Sequence, residues 1–190
     1  MQSAGSAAED AAVEVVEYQT RWPSMFEAER QLIEVALAPW LCAPIEHIGS
    51  TAVPGLPAKP VIDIMAPVRS LEASRPAIDA ATSIGYMYDP YKGEVMHWLC
   101  KPSPAVRTHH LHLVPYGSAL WHQRISFREA LRGSAVLAGQ YAELKHKLAA
   151  AFAHDREAYT SAKEPFILGV LGRGKSGDLH ANATDEDSRH

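Results

Sequence analysis

Two short apolar segments that enclose a loop of small residues constrain the fold of this chain more than any other feature. Residues 45–48 and 61–66 have the apolar character of buried strands, and Pro60 introduces the second strand at a position where a missing N–H is tolerated. The loop between them is rich in glycine, proline and hydroxyl residues, which let backbone N–H groups approach a charged ligand closely. The sequence therefore predicts two strands joined by a candidate anion-binding loop.

The predicted anion chemistry of this loop rests on Gly49, Ser50, Thr51 and Lys59. Hydroxyl and backbone N–H groups donate hydrogen bonds to phosphate oxygens, and the Lys59 ammonium at the far end of the loop supplies the opposing charge. Plain turns between strands have a similar composition, so both interpretations stay open at this point.

Asp63 is the only ionisable residue in the second apolar segment. A buried carboxylate is costly unless it is paired or bound to a cation, so we expect Asp63 at a strand end that faces a site. His110 and His112 lie two residues apart in the alternating segment 109–114, and side chains at that spacing on a strand share one face. Such a pair is typical of a metal or substrate site, and also of a polar sheet face.

Strand-like and helix-like patterns alternate along the chain and predict an α/β fold. The apolar periodicity favours a helix that begins near Ser24 and ends before Pro39, and a second helix stopped by Gly85. A turn cluster at 89–93 between two strand-like segments suggests a hairpin. We expect one mixed sheet, with a C-terminal helical segment over residues 118–171 packed on it. Its predicted strands lie near residues 45–48, 61–66, 95–100 and 109–114.

Length and composition favour one domain over residues 13–171, because 190 residues with 47% apolar side chains fill one core. Residues 1–12 are predicted to be disordered and residues 172–190 to form a flexible tail, since both are small and polar. The net charge of −4 gives no basic face for nucleic acid. No apolar run approaches the ~20 residues that span a bilayer, and the acidic N-terminus lacks a secretory pattern, so a cytoplasmic location is expected.

The segment HIGSTAVPGLPAKPVIDI, residues 47–64, resembles the signature of the GrpB family, an offshoot of the nucleotidyltransferase (DNA polymerase β-like) fold. The resemblance extends over residues 15–171 and includes HHLHLV at 109–114 and FREALR at 127–132. It implies a nucleotidyltransferase-like mixed sheet in which a glycine–serine pair holds nucleotide phosphates and acids on the next strand hold a divalent cation. In this chain Asp63 stands without a second acid on its strand, whereas two-metal chemistry needs more oxygen ligands.

The resemblance implies an enzyme that binds ATP or another nucleoside triphosphate. It would transfer a nucleotidyl group to a small-molecule acceptor, or activate the acceptor, for example as an adenylate for ligation. Asp63, His112 and Lys59 are the candidate catalytic residues, and Asp63 with His110 or His112 would hold the cation. Mg²⁺ or Mn²⁺ is implied by the fold, but a His/His/Asp set also suits Zn²⁺ or Fe²⁺. Arg128 is a candidate anion contact, because guanidinium binds phosphate in bidentate fashion.

A non-catalytic module of the same fold is the alternative to an enzyme. GrpB-like domains also occur fused to dephospho-coenzyme A kinase, so a nucleotide or a coenzyme A-type ligand fits this hypothesis. His47, just before the glycine–serine pair, is expected to hold the loop by a side-chain hydrogen bond rather than to take part in catalysis. The sequence does not determine an oligomeric state.

Overall fold

A five-stranded mixed sheet forms the centre of the structure, a computed structural model that describes residues 12–181 and side chains as far as residue 172. The strand order is β1-β2-β5-β4-β3. The strands are β1 (Glu46–Ile48), β2 (Ile62–Val68), β3 (Met87–Asp89), β4 (His97–Pro102) and β5 (Arg107–Pro115). This mixed sheet with its flanking helices confirms the predicted α/β class.

Helices cover both faces of the sheet. They are α1 (Trp22–Leu37), α2 (Ala77–Ser83), α3 (Ala119–Gly133), α4 (Ala135–Ala151), α5 (Arg156–Ser161) and α6 (Glu164–Ala181). Ile62 and Ile64 of β2 belong to a core cluster with residues of α1 and α2, whereas Met65 belongs to a cluster that includes residues of α3. Because side chains alternate along a strand, Asp63 lies on the same face as Met65, the face that α3 covers.

The pairing of β2 with β5 fixes the relative positions of the predicted site residues. These two strands are parallel, with Asp63 opposite His110 and Met65 opposite His112. The prediction that residues 61–66 and 109–114 share one sheet is therefore confirmed. The predicted hairpin is also present, since β3 and β4 pair in antiparallel fashion.

The C-terminal helix extends further than the sequence indicated. Residues 172–181, predicted to be part of a flexible tail, are helical, because α6 continues to Ala181. Glycines here each cost about 1 kcal/mol of helix propensity, but propagating an existing helix is far easier than starting one. Residues 1–11 and 182–190 lie outside the described residues, and so do the predictions made for them. No helix within the described range is long and apolar enough to cross a bilayer.

Candidate functional site

A cavity of about 360 Å³ lies on the α3 face of the sheet, next to Asp63, His110 and His112. Its walls come from the loop before β2, the β3–β4 turn, the helices α3, α4 and α5, and Lys163 just before α6. Cationic side chains clearly outnumber acidic ones around it. The cations are Lys59, Lys92, Arg107, Arg124, Lys145, Arg156 and Lys163, and the acids are Asp63, Asp89 and Glu157.

Asp63 and the two histidines meet at the floor of this cavity, as the family resemblance implied. His110 Nδ1 donates a hydrogen bond of 2.9 Å to Asp63 Oδ1. His112 Nε2 lies 3.6 Å from the same oxygen, which is too far for a hydrogen bond. The three side chains each offer a ligand atom, and these atoms lie within 4.8 Å of one another.

The contacts of the two rings bear on which nitrogen carries the proton. His112 Nδ1 lies 3.4 Å from Met96 Sδ, and because a thioether only accepts, this contact favours a proton on Nδ1. In that tautomer the lone pair of His112 Nε2 is on the side of the Asp63 carboxylate, 3.6 Å from Oδ1. His110 likewise uses Nδ1 to reach Asp63, and its Nε2 is buried with no hydrogen-bond partner in the described part of the chain. One carboxylate and two imidazoles are a donor set that suits a divalent cation.

The charge states of these groups also suit a cation. Burial lowers the pKa of His112 to about 4, although the Asp63 charge opposes this, so the ring is neutral at pH 7, as a metal ligand must be. Burial alone would raise the pKa of Asp63, but the hydrogen bond from His110 and the neighbouring His112 outweigh it. They hold the pKa of this carboxyl well below its usual range. Asp63 is therefore ionised.

Gly49 makes room for the Asp63 carboxylate. Its φ is +72°, and a Cβ added there would lie 2.4 Å from Asp63 Oδ2. No side chain other than hydrogen fits this position without displacing the carboxylate. The glycine predicted to let a phosphate approach is thus the one that lets Asp63 pack against the backbone.

The loop after Gly49 forms a single 3-10 turn, Ser50–Ala52, and its two hydroxyl residues differ in role. Ser50 lines the cavity. Thr51 borders it too, but this residue is buried and its hydroxyl donates to Val61 O at 3.3 Å. His47 Nε2 lies 3.0 Å from the same hydroxyl and donates to it. Thr51 therefore ties the loop to β2, and the predicted loop-holding role of His47 is confirmed.

Because the His47 ring is buried, we expect the protein to lose stability in acid. Burial lowers its pKa to about 4, and Phe26 stacks on the ring at 4.6 Å. The unfolded chain binds a proton near pH 6.5 and the folded chain does not, so the free energy of unfolding falls as pH drops from 7 toward 4. Between pH 7 and pH 5 the free energy of unfolding should fall by about 2 kcal/mol less in His47→Gln than in the parent protein. Urea unfolding at the two pH values measures this. An unchanged difference would contradict a neutral, buried His47.

Arg128 holds β1 and does not line the cavity, which corrects its predicted anion contact. Its Nη1 donates to Glu46 Oε2 at 2.7 Å and to His47 O at 2.8 Å. Both partners belong to β1, so the guanidinium is occupied at the edge of the sheet. Arg124, one helical turn earlier, is the α3 arginine that lines the cavity.

Three lysines line the other side of the cavity, and two of them contact the ring of Tyr159. Lys59 Nζ and Lys163 Nζ lie 4.9 Å and 4.3 Å from the centroid of its buried ring. Lys145 is buried and donates to Pro57 O. Burial, together with the charge of Lys59, lowers the pKa of Lys163 to about 7. Nothing local in the sequence indicates that Lys59, Lys145 and Lys163 converge.

Comparison with known proteins identifies the family. The sequence model described as "GrpB protein" matches residues 12–173, so this chain belongs to the GrpB family, as its signature predicted. It is 37% identical to UPF0157 protein PA4798 of Pseudomonas aeruginosa, over 92% of this chain and 73% of that protein. It is 30% identical to the glutamate-rich protein GrpB of Alkalihalophilus pseudofirmus, over 83% of this chain and 92% of that protein.

A solved structure shows the same fold. The crystal structure of conserved protein GrpB from Enterococcus faecalis matches with a TM-score of 0.77 and 32% sequence identity. The match covers 87% of this chain and 99% of that one. The architecture described above is therefore that of the family.

Proposed function

We propose that this chain is a metal-dependent enzyme that binds a nucleoside triphosphate and transfers its nucleotidyl group to a small acceptor, or activates that acceptor as an adenylate. The observation that carries the proposal is the cluster of Asp63, His110 and His112 at the floor of a cationic cavity. The cluster suits a cation, and the cavity around it suits an anion.

The cavity is positive although the chain as a whole is negative. The net charge is −4, yet lysines and arginines outnumber acids among the lining residues. A concave surface lined by one sign of charge concentrates ligands of the opposite sign. The volume of about 360 Å³ falls within the roughly 300–1,000 Å³ of small-molecule sites, which supports a phosphate-bearing small molecule.

The residues of the cluster fit a divalent cation, and the donor set indicates which kind. One carboxylate and two imidazoles suit Zn²⁺, Mn²⁺ or Fe²⁺ better than Mg²⁺, which prefers oxygen ligands. Asp63, His110 and His112 would hold the ion. When bound, it would supply Lewis-acid polarisation of a phosphate oxygen.

The cationic side chains of the cavity would stabilise the negative charge that develops on the phosphate oxygens. Phosphoryl chemistry develops charge on the equatorial and leaving oxygens, and catalysis is largely positioning and charge stabilisation. Lys59 and Lys163 border the cavity together with Arg124 and offer positive charge to those oxygens. The buried Tyr159 ring contacts both ammonium groups and limits their freedom.

A binding module without turnover is the second candidate, and the single carboxylate favours it. Among the lining residues, only Asp63 brings an acid to the metal cluster. One carboxylate gives too few oxygen ligands to clamp two ions. A nucleotide or a coenzyme A-type ligand would then be held by the cationic wall alone.

Two measurements test the proposed function. We expect ATP with Mn²⁺ to raise the melting temperature, and pyrophosphate release to occur with at least one member of a panel of small carboxylate, amine and hydroxyl acceptors. The double change Ser50→Ala and Lys59→Ala should remove ATP binding, because loop hydroxyl and ammonium groups stabilise ligand charge more than the fold. The melting temperature of this variant should stay within a few degrees of the parent.

The outcomes separate the two candidates. Lys147→Ala, an exposed change on α4, is the control and should leave ATP affinity unchanged. Binding of ATP without pyrophosphate release across the whole panel would favour the binding module. Equal ATP affinity in the parent and the double variant would overturn the anion site at this loop.

A further inference from the structure

Lys163 and Arg124 are two cavity cations that no acid neutralises within the described part of the chain. Arg124 lies on α3, and Lys163 lies directly before α6. Both line the cavity, and neither side chain forms an ion pair or a hydrogen bond with another described residue. Arg128 and Arg132, on the same face of α3, are instead occupied by Glu46 and by Ala52 O.

The cavity collects like charges at a cost to the fold. Lys59 and Lys163 approach the same Tyr159 ring, and the charges of Lys59 and Arg124 both act to lower the pKa of Lys163. Cation–π contact with the tyrosine offsets part of the repulsion. Asp63 is an opposing charge nearby, but it belongs to the metal cluster. An anion placed among these cations relieves the repulsion.

The arrangement of the cations indicates a ligand with more than one anionic group. Lys59 comes from the loop before β2, Arg124 from α3 and Lys163 from the junction of α5 and α6. Donors from three separate elements surround the space instead of converging from one loop. A chain of phosphates presents several oxygens along its length and can contact all three, whereas a single carboxylate cannot.

We propose that Lys163 and Arg124, together with Lys59, form a subsite for a chain of phosphate groups, at least a pyrophosphate. This inference rests on the proposed function in that the phosphates would belong to the nucleotide. The chemistry is shared by inorganic polyphosphate, so the test must separate the two sources. In either case Lys163 and Arg124 bind the ligand directly.

Inorganic tripolyphosphate is the probe, titrated by calorimetry in a buffer with EDTA so that the metal cluster does not contribute. We expect Lys163→Met and Arg124→Gln each to weaken its binding at least about 10-fold, because a charged hydrogen bond is lost in each. Lys163→Arg keeps the charge and should keep the affinity within a few-fold. The matched controls are Lys147→Met and Arg75→Gln, both exposed and away from the cavity, and neither should change the affinity.

Melting curves show whether a loss of binding in these variants comes from a folding defect. Lys163→Met and Arg124→Gln each remove a repelling charge, so their melting temperatures should equal or exceed that of the parent. Orthophosphate should bind at least about 10-fold more weakly than tripolyphosphate, since it spans fewer of the cations. Equal binding of the two anions, or unchanged tripolyphosphate affinity in both variants, would overturn the subsite.

The source of the phosphates follows from one comparison. Tighter binding of ATP than of tripolyphosphate under the same conditions would support a nucleotide, and equal binding would support the phosphate chain alone. The subsite and the proposed function can also fail separately. Loss of tripolyphosphate binding in the variants, with no pyrophosphate release by the parent protein, would retain the subsite and reject the enzyme.

Discussion

Replacing Asp63 by asparagine is expected to weaken Mn²⁺ binding at least about 100-fold, equivalent to ~2.7 kcal/mol. The change keeps the side-chain volume and removes the one carboxylate ligand of the cluster. Turnover that depends on the metal should fall by a similar factor. A Mn²⁺ titration by calorimetry or electron paramagnetic resonance measures the effect without knowledge of the acceptor.

Asp89→Asn is the matched control, because Asp89 lines the same cavity but lies outside the cluster. It should change Mn²⁺ affinity by no more than a few-fold. Equal losses in the two variants would mean that the general charge of the cavity, and not ligation by Asp63, attracts the ion.

The melting temperature of Asp63→Asn alone does not show whether Asp63 is a metal ligand. The hydrogen bond from His110 stabilises ionised Asp63, so asparagine should lower the free energy of unfolding by about 1–3 kcal/mol even without metal.

Gly49→Ala should destabilise the fold by about 3 kcal/mol or more and abolish Mn²⁺ binding. A φ of +72° with a ψ of −172° is a region essentially restricted to glycine and costs an alanine about 1–3 kcal/mol, and the new Cβ would meet Asp63 Oδ2 at 2.4 Å. The carboxylate or the loop must then move, which breaks the metal cluster as well as the packing. Urea unfolding and the same Mn²⁺ titration measure both effects.

Gly55→Ala separates backbone strain from the clash. Gly55 has a φ of +76°, but an added Cβ there meets nothing within 4 Å. We expect a loss of only about 1–2 kcal/mol and unchanged Mn²⁺ affinity, since only the conformational cost applies. If both alanine variants lose the same stability and both bind Mn²⁺, the close packing of Asp63 on Gly49 has no functional role.

Local patterns in the sequence predicted the strands well because strand periodicity and turn chemistry are local properties. The strand predicted at 61–66 is observed as Ile62–Val68, and the one at 109–114 as Arg107–Pro115. The alternation of histidines with leucines placed His110 and His112 on one face correctly. Their meeting with Asp63 required the parallel pairing of the two strands, which the family resemblance supplied and periodicity did not.

The arginine and lysine contacts could not be predicted in the same way. Arg124 and Arg128 lie one turn apart on one face of α3, so their sequence context is nearly equivalent. The position of α3 along β1 decides that Arg128 reaches Glu46 while Arg124 reaches the cavity. Lys163 lies far along the chain from Lys59, and their common contact with Tyr159 depends on how α5 and α6 pack. These are properties of tertiary packing that no short segment encodes.

The parallel pairing of β2 with β5 also affects how the chain folds during its synthesis. Asp63 and His110 are 47 residues apart, and the strands that follow β2 directly in the chain pair elsewhere. A ribosome adds roughly 5–20 residues per second, so Asp63 emerges several seconds before its partner. During that interval nascent β2 has an apolar edge with unpaired N–H and C=O groups, which favours wrong pairing. Pairing with β5 therefore removes this exposed edge, and a ligand of the Asp63 cluster can assist folding only after that step.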